Sequence, residues 1–194
     1  MITVVTSPTT NALTTVETAQ RELRLEGQDD LAGLQELIDK ASEACAQWCG
    51  RPEGFGRSEV TQTVRARNMR GPIILERDLA PAIVSVTLDG EALTADDYES
   101  DGALLYRLVD DERAAWSGKV VITYEAGFAN LTTLPHAIES ACLLTLAWMH
   151  HLRGENPLER RHDNGLVSIS YMDTANGIPP AAAELLGPYR RITL

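Results

Sequence analysis

The residues best suited to chemistry in this 194-residue chain are few, and their spacing argues against most of what they could do. His150 and His151, with His162 beyond, are the candidates for a transition metal or for proton transfer near neutral pH. Adjacent side chains on a helix point about 100° apart, so one ion rarely gathers both. At a helix C-terminus the pair has a simpler use, facing the negative end of the macrodipole. Asp97, Glu99 and Asp101 followed by Gly102 resemble the first half of a calcium loop. The twelfth position, which needs Glu, is Leu108, and the flanks read as strands. A solvated hairpin turn is the plainer reading. Gly118-Lys119 resembles the end of a phosphate loop, but Arg113 stands where that loop needs Gly and Val120 where it needs Ser or Thr. There is no Gly-x-Ser-x-Gly elbow and no His-Glu-x-x-His pair. Cys45 and Cys49 lie four apart on one helix face, as small buried apolar residues do, and no second ligand pair stands nearby. The expectation is a protein that is not an enzyme, with no cofactor and no resident metal.

Two groups of residues suit binding. Arg153, Arg160 and Arg161 can touch phosphate, but Glu155, Glu159 and Asp163 are interleaved with them. That mixture favours a solvated loop or a subunit contact. The second group is the tail, where Leu185, Leu186, Pro188, Tyr189, Arg190 and Arg191 combine a short apolar helix end with an aromatic and two arginines. Those residue types anchor interfaces. The competing reading is a terminus folded back on its own core.

Charge narrows the partners. With 17 Lys and Arg against 28 Asp and Glu, the net charge is −11. Wrapping nucleic acid requires neutralising phosphates, which so acidic a chain cannot do over its whole surface. It can line a passage through which DNA slides, because like charge weakens adhesion. Lysine occurs only at Lys40 and Lys119, so the basic character is arginine. Three cysteines, an odd number, fit a reducing interior better than a disulfide framework. The most apolar run, Ala141 to Met149, is too short to span a bilayer, which takes about 20 residues, and the N-terminus lacks a secretory pattern.

The elements that must position these groups follow from periodicity. Residues 1–13 read as an extended arm broken by Pro8. Thr14 and Glu17 form a capping box for a helix over about 15–24, which Gly27 ends. Asp29 or Asp30 caps a longer helix with apolar residues at Leu31, Leu34, Ile38, Ala41, Cys45 and Trp48; Gly50 and Pro52 stop it. From about 58 the period changes to two, with Val60, Gln62, Val64 and Ala66 on one face. Short strands follow at Ile73–Leu75, Ile83–Leu88, Leu104–Leu108 and Val120–Tyr124, with hairpin turns at Asp89-Gly90 and Asp101-Gly102. Thr133 and Pro135 open a third helix that is apolar on nearly all sides and is therefore expected to be buried. Residues 154–178 form a long polar connection with a brief alternation at Val167, Ile169 and Tyr171; a short helix over Pro179–Leu186 closes the chain. The fold class is α+β: a small helical bundle around a long central helix, an inserted antiparallel β meander and a short C-terminal helix. The divisions expected are 1–57 for the arm and first two core helices, 58–130 for the β lobe, 131–153 for the central helix and 154–194 for loop, short helix and tail.

One succession of motifs carries a resemblance. Leu13-Thr14-x-x-Glu17-x-Ala19-x-x-x-Leu23-Arg24, Asp29-Asp30, Ile38-x-x-Ala41 and Cys49-Gly50-Arg51 open the chain. Val121-x-x-Tyr124-x-Ala126-Gly127-Phe128 and Leu134-Pro135, with Trp148 on the helix that follows, occupy the middle. Leu185-Leu186-Gly187-Pro188-Tyr189-Arg190 closes it. In that order they resemble the gp6-like head-tail connector (adaptor) proteins of tailed phages, a family that includes adaptors of phage-derived gene transfer agents. The connection over 154–178 is longer than that pattern has. The resemblance implies a structural subunit of a ring, usually of twelve copies, between the portal protein and a stopper or tail protein. It implies an axial passage for double-stranded DNA, no membrane partner, and a C-terminal segment that docks on the portal. The alternative is a phage DNA-packaging or DNA-binding accessory protein using the arginine-bearing loop.

Overall fold

The computed structural model describes residues 1–8, 10–25, 31–152, 161–163, 168–170 and 177–191. The chain divides into two compact units. One comprises Met1–Thr9 and Gly56–Asn130, the other Thr10–Phe55 and Leu131–Leu194. Among the described residues the fold is mixed, with antiparallel sheets and four α-helices.

The first unit is built of strands β1 (Ile2–Thr6), β2 (Ser58–Met69), β3 (Ile73–Ile74), β4 (Ala82–Leu88), β5 (Glu91–Ala92), β6 (Tyr98–Asp101), β7 (Leu104–Val109), β8 (Glu112–Ala114) and β9 (Trp116–Ala126). Five of them form a sheet in the order β1-β2-β9-β4-β5. β3, β7 and β6 form a second sheet, with β8 on β7. All these pairings are antiparallel. The order is not the simple meander that the closely spaced strands suggest. β2 and β9 are the longest strands, and their mutual ladder from Ser58↔Ala126 to Met69↔Trp116 outweighs pairing between sequence neighbours. The first residues of the expected arm are β1, which pairs with β2 at the sheet edge.

Alternation decides what each strand buries. Val60, Gln62 and Ala66 on β2 face inward with Val120, Ile122, Tyr124 and Ala126 on β9. They meet Ile73, Leu75, Val86, Leu105 and Trp116 in one core. Gln62 is the polar member, 3% exposed. Its amide donates to the Ile74 carbonyl at 2.9 Å, and its oxygen accepts the Glu76 amide at 2.9 Å and the Tyr124 hydroxyl at 3.1 Å. A buried amide is tolerated because its groups are paired. The turn at Asp89-Gly90 has positive φ at both positions, 52° and 98°, as a two-residue hairpin loop requires. A second such loop, Asp110-Asp111 with φ 53° and 64°, joins β7 to β8 without any glycine. Aspartate enters this region more readily than most residues.

The second unit carries α1 (Val16–Leu23), α2 (Leu31–Trp48), α3 (His136–His151) and α4 (Pro180–Leu186), with a short antiparallel pair, β10 (Arg161–Asp163) and β11 (Ser168–Ser170). α3 packs against α1, α2 and α4. Two caps differ from expectation. The N-cap of α1 is Thr15, whose hydroxyl accepts the Thr18 amide at 3.1 Å. Thr14, one residue earlier, is buried and donates to Glu139 on α3 at 3.2 Å, so it is not free to cap. The C-terminus of α1 turns at Arg24 with φ 54°; Gly27, Asp29 and Asp30 lie outside the described residues. α2 ends as its glycine predicts. Gly50 has φ 68°, its amide donates to the Gln47 carbonyl and that of Arg51 to Ala46, the paired bonds of a Schellman stop.

α3 departs from the expectation of burial on nearly all sides. Ile138, Ala141, Cys142, Thr145 and Leu146 are buried, a single stripe at helical spacing. Leu144 is 42% exposed, and Leu143, Ala147, Trp148 and Met149 are half-buried. An all-round apolar composition is thus only partly used within one chain.

Candidate functional site

The tail singled out by its residue types folds onto the end of α2. α4 continues from Leu186 into a 3-10 turn, Gly187–Tyr189, despite the Gly-Pro step. Leu186 and Ala182 are completely buried, and the Cys49 thiol lies 3.9 Å from the Leu186 carbonyl. Past the turn, the Arg191 amide donates to the Cys49 carbonyl at 2.8 Å. Cys49 is the residue at which α2 ends, so its carbonyl is among those a helix leaves without an internal partner. The tail backbone supplies the donor.

Arg51 locks this arrangement. It is 3% exposed, and its Nε donates to the Tyr189 carbonyl at 2.8 Å. The Arg191 guanidinium in turn pairs with Glu53. Arg190 lies over the Trp48 ring, 5.4 Å from its centre, within cation–π range. Cys49-Gly50-Arg51 and Leu185-Leu186-Gly187-Pro188-Tyr189-Arg190, far apart in sequence, therefore form one site. Leu186 and Arg191 serve the internal contact. Pro188 and Arg190 are exposed, and Leu185 and Tyr189 are half-buried. Arg51, Glu53 and Trp48 were not legible as site residues. The one available signal was an arginine directly behind a helix-stopping glycine.

The other candidates are accounted for by local partners. The Asp97 carboxylate accepts the Thr94 amide and hydroxyl, both at 2.8 Å, and pairs with Arg107 at 3.3 Å. The Thr94 amide above all, with that hydroxyl and Arg107 behind it, holds Asp97 below the usual carboxylate range. Glu99 pairs with Arg113 at 3.1 Å. Cys45, Cys49 and Cys142 are free and buried. Cys45 lies 3.7 Å from the Thr145 hydroxyl and Cys142 3.5 Å from that of Ser42. Burial, first of several causes, pushes the Cys49 thiol up to about 11. His150 and His151 fill the last turn of α3. Among the described residues no three His, Cys, Asp or Glu side chains are grouped to hold a metal. A groove of about 490 Å³ beside α2 is lined by Asn11, Asp39, Ser42, Glu43 and Gln47, among others, with no histidine to activate the serine. No helix among the described residues is long and apolar enough to cross a membrane. Arg153 and Arg160 lie outside the described residues, as do the side chains of Arg161 and His162 and most of the 154–178 connection.

Known structures share this fold. A chain of the virion of a native gene transfer agent particle matches with a TM-score of 0.63 at 16% identity, covering 100% of this chain and 97% of that one. A chain from the neck of an empty gene transfer agent particle, computed with C6 symmetry, gives 0.61 at 18% identity with the same coverage. A third, from the neck of the native particle computed with C12 symmetry, gives 0.53 at 19%, again with 100% and 97% coverage. No functionally curated protein matches the chain. The family model for head completion proteins matches residues 12–192, taking in both halves of the Arg51-locked tail site, and the chain belongs to that head completion protein family.

Proposed function

We propose that this protein is a structural head-to-tail connector subunit of a phage or gene transfer agent particle. Copies close into a ring, twelve in number, between the portal and a stopper or tail protein, and leave a passage for double-stranded DNA. Assembly takes place in the bacterial cytoplasm and the ring resides at the head-tail interface. α3 is the central strut of the helical unit, and the chain carries out no reaction.

The observation that carries this reading is the locked tail. A docking segment loses affinity when it must be ordered on binding, and here Arg51, Glu53 and the Cys49 carbonyl hold it beforehand. The exposed residues Pro188 and Arg190, with Leu185 and Tyr189 beside them, are the portal-docking surface; Leu186 and Arg191 are its internal root. The partly exposed Leu144 on α3 supports a contact between neighbouring subunits, since apolar surface is stabilised by burial. The family match and the twelvefold symmetry of one similar neck support the ring.

The test leaves the root intact. Arg190→Glu combined with Pro188→Ala should give a folded protein that fails to retain portal-bearing heads in a pull-down and fails to restore tailed particles. Heads that acquire tails normally with this variant would remove the docking role.

A further inference from the structure

The outer face of the five-stranded sheet carries a row of hydroxyls across four strands. Ser85 on β4 opposes Thr123 on β9, Thr123 opposes Thr61 on β2, and Thr61 opposes Thr3 on β1. The Thr61 and Thr123 hydroxyls are 3.2 Å apart. Thr63 and Thr87 stand one step further along the same face, on either side of Val121. The step after that brings two cations together, because Arg65 lies directly opposite Lys119. Arg67 and Arg70 follow where β2 ends, and all four cations are exposed.

Like charges directly opposite on adjacent strands destabilise a sheet. The two ends of this face handle that problem differently. Glu59 opposes Glu125, and Arg57 offsets the pair by bridging to Glu125 at 3.0 Å. At the basic end no ion pair engages Arg65, Arg67, Arg70 or Lys119 among the described residues. The Asp89 carboxylate is turned to the backbone, where it accepts the Lys119 amide at 2.7 Å. A chain of net charge −11 thus leaves Arg65 and Lys119 opposed beside a row of hydroxyls, with Arg67 and Arg70 next along the chain.

We propose that this face is a contact surface for the phosphate backbone of duplex DNA. Arginine, lysine, serine and threonine side chains are the groups that hold phosphate oxygens without reading sequence. An acidic protein partner fits less well. Protein interfaces centre on large buried anchors, and Val121 is the apolar side chain between the hydroxyls here. The negative remainder of the chain keeps the contact weak, so that DNA is touched and released. The inference deepens the connector reading, which supplies the DNA, and it assigns the contact to residues of the strand unit, none of which belongs to the tail.

Titration of the full-length chain with short duplex DNA, followed by fluorescence anisotropy, tests it. Binding should be independent of sequence. For three or four phosphate contacts it should weaken about 40- to 150-fold between about 50 and 200 mM salt. Arg65→Glu and Lys119→Glu should each abolish it while leaving the melting temperature equal or higher, because each converts a like pair into an opposite one. Wild-type protein without salt-sensitive binding would overturn the proposal, as would variants that bind like wild type. So would charge reversals that change only self-association, which would make the face a subunit contact. The connector reading is judged separately: tailed particles restored by a wild-type chain that ignores DNA would sink the patch alone.

Discussion

Replacing Arg51 tests whether the tail is held by one buried guanidinium. In Arg51→Met the apolar stem survives, while the Nε–H that reaches the Tyr189 carbonyl at 2.8 Å is lost. A hydrogen bond from a charged donor contributes about 1.5–3 kcal/mol. The position is 3% exposed, so solvent cannot readily replace the donor. Relief of the buried charge's desolvation offsets part of the loss, leaving an expected cost of about 2 kcal/mol. Urea denaturation measures that cost. Hydrogen exchange at the Arg191 amide, bonded to the Cys49 carbonyl at 2.8 Å, shows where it falls. Exchange there should accelerate about 10- to 30-fold, the factor that 1.4–2 kcal/mol of local opening implies. Arg51→Lys should recover only part of the protection, because an ammonium lacks the planar fork. Unchanged exchange at Arg191 in the Met variant, with stability within about 0.5 kcal/mol of wild type, would show that Leu186 burial alone holds the tail.

Two further outcomes follow from the interior. Gln62→Leu leaves the Glu76 amide and the Ile74 carbonyl without the partner each now has; at about 1–3 kcal/mol per stranded group, unfolding should ease by roughly 2–6 kcal/mol, and a melting temperature within error of wild type would refute the role given to this amide. Cys49 supplies a pH dependence: its thiol rises from an ordinary value near 9 to about 11 in the fold, so the folded state holds its proton longer than the unfolded chain. Its contribution is complete below about 9 and is lost as pH rises toward 11, worth roughly 2–3 kcal/mol by linkage. Cys49→Ala should flatten that alkaline decline in a denaturation series, and an unchanged slope would place the effect elsewhere.

What could be read from the sequence was local. The Gly50 stop, the inward face of Val60, Gln62 and Ala66, and the Asp89-Gly90 turn each follow from one residue's conformational freedom or from a period of two. What could not be read depended on distant partners. Thr14 looks like a cap until Glu139 claims its hydroxyl. The β2–β9 ladder, from Ser58↔Ala126 to Met69↔Trp116, joins residues far apart in the chain, and no turn signal announces such a pairing. Asp110-Asp111 makes a hairpin without the glycine that marks the other two. At the site, the tail's residue types were visible but not the division of labour among them, because the carbonyl that Arg51 grips belongs to a residue 138 positions away.

That division changes what a truncation can mean. Removing residues 185–194 takes away Leu186, which is completely buried, and emptying a leucine site of this kind costs about 2–5 kcal/mol. It also removes the donor to the Cys49 carbonyl and the acceptor of the Arg51 Nε–H. Loss of head joining after such a deletion would follow from a damaged helical unit as readily as from a missing docking surface. Separating the two requires changes confined to the outward side, at Pro188 and Arg190, where side chains are exposed and the hydrogen bonds that root the tail are made by others. Arg190 shares its position with the Trp48 ring, an exposed cation–π contact worth about 0.5–1 kcal/mol. Its loss alone is too small to unfold the unit, so a failure of Arg190→Glu to engage the portal would report on the interface itself.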